Sequence, residues 1–165
     1  MDKEQIRNKT SKPLLWIGMA SIGMAFAGLT SGYVVSKSSL VSAGAWQTIP
    51  LPNEFLISTI FIVISSALLI MAMNRLKVEK YKSSNLMIWF AFLFGCAFLY
   101  TQVLGWNDLM KNQGVFFTGE QSRPAGSWLY VITWFHWIHA LAGVIVLLVA
   151  SIRSSKGFFN EGNIL

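Results

Sequence analysis

The chain has 165 residues, of which 54% are hydrophobic and only 12% are charged. Soluble domains average about 25% charged residues, so this composition excludes an ordinary soluble domain and favours a membrane protein. The single cysteine, Cys96, excludes an internal disulfide framework, and its apolar neighbours favour a packing role. The net charge of +6 does not indicate nucleic-acid binding, because the basic residues lie in short clusters between apolar runs.

Four apolar runs are long enough to cross a membrane as helices, which takes about 20 residues each. Lipid tolerates only helices or closed barrels as spanning structures, and runs of this length favour helices. We therefore predict an all-α fold, an integral membrane four-helix bundle that forms a single transmembrane domain over residues 1–165. The predicted spans are about 13–35, 55–74, 85–105 and 127–151.

The basic residues outside the spans predict the orientation. Most of them precede the first span, separate the second from the third, or follow the fourth. The positive-inside rule therefore predicts that both termini are cytoplasmic. The first span is longer than the apolar part of a signal peptide, so we expect it to be retained. The cytoplasmic set is Lys3, Arg7, Lys9, Lys12, Arg75, Lys77, Lys80, Lys82, Arg153 and Lys156, and the opposite set is Lys37, Lys111 and Arg123.

Every span has a small or polar face that differs from a lipid-facing surface. Within lipid, close packing of small residues and interhelical hydrogen bonds hold helices together. Four helices cannot bury all these faces in one small bundle, so we predict a larger partner; the alternative is a self-contained bundle. The faces, in chain order, are Ser21, Ala25, Gly28 and Gly32; Ser58, Ser65 and Ala72; Ala91, Gly95, Phe98 and Gln102; and Thr133, His136, Ala140 and Gly143.

The two histidines are the candidates for chemistry. His136 and His139 are three residues apart on one helix and share a face, and ionisable residues inside a membrane are functional candidates by default. Haem ligation, metal ligation and a neutral pair hydrogen-bonded to neighbouring helices are the three interpretations. One helix cannot sandwich a haem, and zinc or copper needs three or four ligands, so the neutral pair is favoured. A ligand role shared with another chain is the alternative.

No catalytic, cofactor-binding or metal-binding residue is predicted in this chain. The predicted loops contain no histidine that could act as a base beside a nucleophile. The predicted spans contain no Asp, Glu, Lys or Arg, whereas proton relays and coupled transporters usually need such residues. The pattern therefore indicates contact surfaces and no reaction centre.

The order of residues across the spans resembles that of haem–copper oxidase subunit III. The fourth span, from Tyr130 to Gly143, resembles Y-x-x-T-G-x-H-G-x-H-x-x-x-G, with Trp134 and Trp137 in place of the glycines. Residues 98–106 of the third span are similar to F-x-x-x-Q-x-x-E-[WY]. The first span is similar to S-E-x-x-x-F-x-x-L-x-x-x-Y, and the matching residues are Ser21, Phe26, Leu29 and Tyr33. The second span is similar to N-T-x-x-L-x-x-S-S, and the matching residues are Ser58, Thr59, Ser65 and Ser66.

The resemblance implies a non-catalytic subunit of a respiratory oxidase in the cell inner (plasma) membrane. Its partners would be the catalytic subunit I, other oxidase subunits, membrane lipid and a respiratory supercomplex. The haem and copper would lie in the partner subunits, and a phospholipid is a candidate ligand of this chain. The residues expected to pack helices together or contact the partner are Gly28, Gly32, Ser65, Gln102, Trp106, Thr133, His136, His139 and Gly143.

Two departures from the family pattern limit what the resemblance implies. Ile22 and Gly105 stand where the family usually has carboxylates, so a role in proton uptake does not carry over. The four predicted spans are one fewer than in common short members, so a neighbouring chain is a candidate source of the missing helix. The alternatives are a subunit III-like protein associated with nitric oxide reductase, a haem-bearing membrane anchor of a dehydrogenase, and a small multidrug-type transporter.

Overall fold

The computed structural model describes residues 3–46, 48–119 and 123–157, with side chains from Pro13 onward. All the regular secondary structure in these residues is α-helical. The helices are α1 (Lys3–Ser42), α2 (Asn53–Lys77), α3 (Tyr81–Lys111) and α4 (Pro124–Ser155). Each is long and apolar enough to cross a membrane, which confirms the predicted helical class. The predicted orientation depends partly on side chains outside the described ones, those of Lys3, Arg7, Lys9 and Lys12.

All four helices extend beyond the apolar runs that predicted them. At about 1.5 Å per residue, the 40 residues of α1 measure about 60 Å, roughly twice the thickness of the hydrocarbon core. Backbone hydrogen bonding continues where hydropathy falls, because a helix satisfies its own N–H and C=O groups in water as well as in lipid. Hydropathy therefore marks the part of each helix suited to lipid and does not mark its ends.

Helices α2 and α3 form an antiparallel hairpin with the most extensive contact in the fold. The turn between them closes when the N–H of Lys80 donates to the carbonyl of Arg75 at 3.0 Å, and Glu79 adopts a φ of 56°. The buried residues of α3 alternate at spacings of four and three, a period of 3.5 that produces left-handed coiled-coil packing. They are Ser84, Ile88, Ala91, Gly95, Phe98, Gln102, Gly105 and Leu109. The buried residues of α2 are Ser58, Ser65 and Ala72. Part of the α3 set lies against α4 instead, because a Cβ on Gly95 would meet Val144 and the ring of Phe98 packs on His136.

The four helices lie side by side in the order α2, α3, α4, α1. Helix α3 contacts α2 on one side and α4 on the other, whereas α1 contacts α4 alone among the described helices. Residues 13–24 of α1 are all exposed, and none of the most apolar window of that helix is buried. The arrangement is consistent with a helical membrane bundle, but one whose α1 and α4 surfaces are largely uncovered.

A compact core fixes the loop between α3 and α4. Leu109, Val115 and Tyr130 are buried together. The N–H of Val115 donates to the carbonyl of Leu109, and the hydroxyl of Tyr130 donates to the carbonyl of Val115, both at 3.0 Å. A Cβ built on Gly126 would lie 2.5 Å from Cγ1 of Val115, so the loop approaches the first turn of α4 as closely as a glycine allows. This core sets the position of α4 relative to α3.

Candidate partner-contact surface

The predicted contact residues are distributed over three helix–helix contacts and do not form one site. Seven of the nine touch a neighbouring helix. Ser65 and Gln102 lie between α2 and α3, and Trp106 and Thr133 lie between α3 and α4. Gly32, His136 and His139 lie at the contact of α1 with α4. Gly28 and Gly143 differ, because a Cβ on either would meet no heavy atom within 4 Å. Of the two glycines on the predicted small face of α1, only Gly32 packs against another helix, since a Cβ there would lie 2.8 Å from Cη2 of Trp128.

Buried hydroxyl and amide groups join α2 to α3. The Oγ of Ser65 donates to the carbonyl of Ala91 at 2.8 Å, and the Nε2 of Gln102 donates to the Oγ of Ser58 at 2.7 Å. The Oγ of Ser84 adds a third bond, to the carbonyl of Ala72 at 2.9 Å. Interhelical hydrogen bonds of this kind contribute about 0.6–2 kcal/mol each in lipid. Gln102 and Ser65 thus stabilise the hairpin within the chain.

A double-mutant cycle on Ser58→Ala and Gln102→Leu measures this bond. Each single change removes one partner of the 2.7 Å contact, so we expect a coupling energy of about 0.6–2 kcal/mol in detergent-induced unfolding. Ser66→Ala is the control in place of Ser58→Ala, because the exposed Ser66 hydroxyl bonds only to the carbonyl of Ile62 in its own helix. Coupling of Gln102 to Ser66 as large as to Ser58 would contradict this assignment.

An indole cluster joins α3 to α4. The Nε1 of Trp106 donates to Oγ1 of Thr133 at 3.1 Å, while that hydroxyl donates to the carbonyl of Leu129. Trp106 stacks on Trp134 with ring centroids 6.2 Å apart, and Trp137 lies 6.1 Å away and donates to the carbonyl of Leu99 at 3.3 Å. The two tryptophans that replace the motif's glycines therefore contribute contacts within this chain.

The histidines contact phenylalanine rings. Phe26 of α1 meets the edges of His136 and His139 at centroid distances of 5.9 and 6.3 Å, and Phe98 of α3 meets His136 at 5.9 Å. Within residues 3–46, 48–119 and 123–157 neither imidazole has a hydrogen-bond partner. The hydrogen bonds predicted between this pair and neighbouring helices are therefore not formed there. The reason is the facing surface, because α1 presents the ring of Phe26 to both imidazoles and that ring offers no polar side-chain atom.

Both histidines lie deep in the predicted fourth span and are exposed on α4. At about 1.5 Å per residue, His136 lies about 13 Å inside the span that begins at Ser127. Water is absent at that depth, so an imidazole N–H without a partner is costly. We call His136, His139, Phe135 and Ile138 the α4 surface. Its two imidazoles have no hydrogen-bond partner among the described residues.

An apolar cavity of 550 Å³ adjoins the α4 surface. Its wall includes Trp106, Trp134, Phe135 and Ile138. Phe135 also packs edge-on against Phe26 of α1 at 5.4 Å, so the same side chain borders the cavity and the histidine contacts. The uncovered face of α4 is therefore continuous from the indole cluster to the histidines, and it combines apolar area with two polar groups.

The two departures from the family carboxylates have different structural settings. A Cβ on Gly105 would lie 3.1 Å from the ring of Phe55, so a carboxylate side chain there would displace that ring. Ile22 lies on the exposed half of α1, where an acidic side chain would have space. Close packing of α2 on α3 thus accounts for the small residue at 105, while nothing in the structure explains the residue at 22.

The described side chains do not assemble a metal site of three or more ligands. In that part of the chain no three His, Cys, Asp or Glu residues are close enough to hold a metal ion. Cys96 is a free, half-buried thiol on α3.

Comparison with known proteins finds similarity to an oxidase subunit. The chain is 28% identical over 142 residues to a protein named cytochrome c oxidase subunit 3 from Corynebacterium diphtheriae. The chain resembles an oxidase subunit III. The match covers 82% of this chain and 66% of the relative, so the chain spans slightly less than two thirds of that protein's length. No family model and no solved structure matches. The relative supports the resemblance that the four spans predicted.

Proposed function

We propose that this chain is a subunit III-like, non-catalytic component of a respiratory haem–copper terminal oxidase. The similarity to a cytochrome c oxidase subunit 3 over 82% of the chain supports this proposal most directly. The motif order agrees with it across all four spans. In this role the chain packs beside the subunit that reduces oxygen and pumps protons, and it helps to keep that subunit active.

The uncovered α4 surface supports a partner inside the membrane. His136 and His139 lack hydrogen-bond partners among the described residues, at a depth where lipid supplies none. A helix of the oxidase that brings a hydroxyl, amide or carboxylate to this level would satisfy them and cover the apolar cavity beside them. Subunit I or another oxidase subunit would serve this purpose.

The redox cofactors belong to the partner subunits in this proposal. Two histidines on one face of one helix cannot bind opposite sides of a haem, and no other histidine occurs in the chain. Electron transfer and oxygen reduction therefore take place outside this polypeptide. The absence of carboxylates at 22 and 105 removes the residues through which a family member would assist proton uptake.

We place the chain in the cell inner (plasma) membrane with both termini in the cytoplasm. Ten of the thirteen Lys and Arg residues fall on the side of the termini. The similarity gives no support to a nitric oxide reductase partner, a haem-bearing dehydrogenase anchor or a transporter.

Purification under mild conditions tests the proposal. A tagged chain solubilised in a gentle detergent is expected to co-purify with a haem–copper catalytic subunit, and the haem content should follow the amount of that subunit. The same tagged chain from cells that lack the catalytic subunit is the control and should carry no haem. A Soret band on the chain alone would favour the dehydrogenase anchor, and co-purification with reductase subunits alone would favour the nitric oxide reductase alternative.

A further inference from the structure

Helix α1 is held to the rest of the fold near its C-terminal end. A Cβ built on Gly32 would lie 2.8 Å from Cη2 of Trp128 in α4, and the ring of Tyr33 packs edge-on against Trp46 in the following loop at 5.7 Å. That loop is itself fixed, because Ile49 packs against the core that joins the α3–α4 loop to α4. The end of α1 that leads into α2 therefore has a defined position.

The N-terminal half of the apolar run in α1 has no such attachment. Phe26 packs edge-on against Phe135 of α4 with ring centroids 5.4 Å apart, and it also contacts both histidines. Residues 13–24, which precede it, are all exposed. At about 1.5 Å per residue they form about 18 Å of helix without a buried side chain. The ring and glycine contacts of α1 on α4 therefore extend over residues 26–32 only, about two turns of helix.

Hydrogen bonds join α2, α3 and α4 to one another but not to α1. Between α3 and α4, Nε1 of Trp106 donates to Thr133, and Nε1 of Trp89 donates to Oγ of Ser155 at 2.9 Å near the other end of the same contact. Among the described side chains, the bonded hydroxyls of α1 donate to carbonyls four residues earlier in the same helix, and no bond from α1 to another helix is formed. Lipid supplies no hydrophobic force between helices, so their association depends on packing and on such bonds. Helix α1 is therefore the most weakly held of the four helices.

We propose that α1 is a hinged arm on a rigid unit formed by α2, α3 and α4. The arm rotates about the contact between Gly32 and Trp128, which lies beside its fixed end. In the closed position, which is the one in this structure, the ring of Phe26 covers part of both imidazoles of α4. In the open position that ring has moved away, and the whole α4 surface is accessible from the membrane. Hinge motions of this kind take place in roughly microseconds to milliseconds. The proposal depends on contacts within this chain and not on the oxidase role.

Distances between spin labels in the full chain, reconstituted in nanodiscs and measured by double electron–electron resonance, test the hinge. The labels are placed at Ile17→Cys and Ile152→Cys, two exposed positions near the same predicted membrane surface, after Cys96→Ser removes the native thiol. Ile17 is about 22 Å from the pivot at Gly32, so a rotation of about 20° moves it by about 8 Å. We expect a distance distribution about twice as wide as that of the control pair, Met73→Cys with Ile152→Cys, which joins α2 and α4 within the rigid unit.

Substitutions at the pivot and at the ring contact test the geometry of the arm. Gly32→Val would force α1 away from Trp128, so the distribution of the α1–α4 label pair should become wider still. Gly28→Val is the matched control, because a Cβ there would meet no heavy atom within 4 Å, and it should leave the distribution unchanged. Phe26→Ala removes the ring contacts that hold the closed position and should shift the distribution to longer distances.

Three results would overturn the proposal. They are equal widths for the α1–α4 and α2–α4 label pairs, an equal effect of Gly32→Val and Gly28→Val on the α1–α4 pair, and no response of that pair to Phe26→Ala. Broadening of the α2–α4 pair by Gly32→Val would also contradict it, because α2, α3 and α4 would then not form a unit independent of α1.

Discussion

Gly126→Val is expected to destabilise the isolated chain by about 1–3 kcal/mol through overpacking. The new side chain would enter space held by Val115, which is 1% exposed and cannot move outward. The carbonyl of Val115 accepts a hydrogen bond from the Tyr130 hydroxyl. A shift of Val115 would therefore displace the whole core that connects the loop to α3 and α4. Detergent-induced unfolding followed by far-UV circular dichroism measures the change.

Gly143→Val on the same helix is the matched control. A Cβ at that position would meet nothing within 4 Å, and valine costs no more than glycine in a helix. The isolated chain should therefore unfold at an unchanged or slightly higher detergent fraction. If both substitutions destabilised the chain equally, the close approach of Val115 to α4 would not be the cause.

His136→Leu, alone or with His139→Leu, is expected to weaken assembly with the oxidase and to leave the isolated chain folded. Within the chain the imidazoles contact rings of Phe26 and Phe98, which leucine also packs against, so no internal hydrogen bond is lost among the described residues. The partner's polar group would lose its bond and stay buried, a cost of about 1–3 kcal/mol or up to roughly a hundredfold in affinity. Co-purification yield of the tagged variants measures the effect.

Haem spectra and a lipid-facing control separate a contact role from a ligand role. Complexes that survive His136→Leu should have unchanged haem spectra, because the histidines pack and do not ligate. Thr59→Val removes an exposed hydroxyl on α2 that already bonds to the carbonyl of Phe55, at the far side of the helix row, and should leave assembly unchanged. A shifted haem spectrum in the histidine variant would count against the contact role.

The α2–α3 hairpin shows how far a periodic pattern can predict contacts. The recurrence of Ser58, Ser65 and Ala72 every seven residues predicted one face correctly, and the same period continued along α3 predicts Ser84 and Gly105 as buried residues. Two other contacts were not predicted. The approach of Val115 to Gly126 involves a loop, and Phe26 reaches the histidines from a helix more than a hundred residues earlier in the chain.

The sequence itself determines the number of helices and their membrane character. It also determines the charge bias that predicts their orientation. Each depends on the local run of apolar and basic residues, since the bilayer acts on every segment separately. Which glycines form contacts, and whether the histidines find a hydrogen-bonding partner, was decided by the tertiary structure alone. Gly28 and Gly32 have the same helical setting, yet only Gly32 lies beneath Trp128, because α1 meets α4 near that end. A close contact requires a second helix at the same position along the helix axis, and packing over the whole chain determines that position.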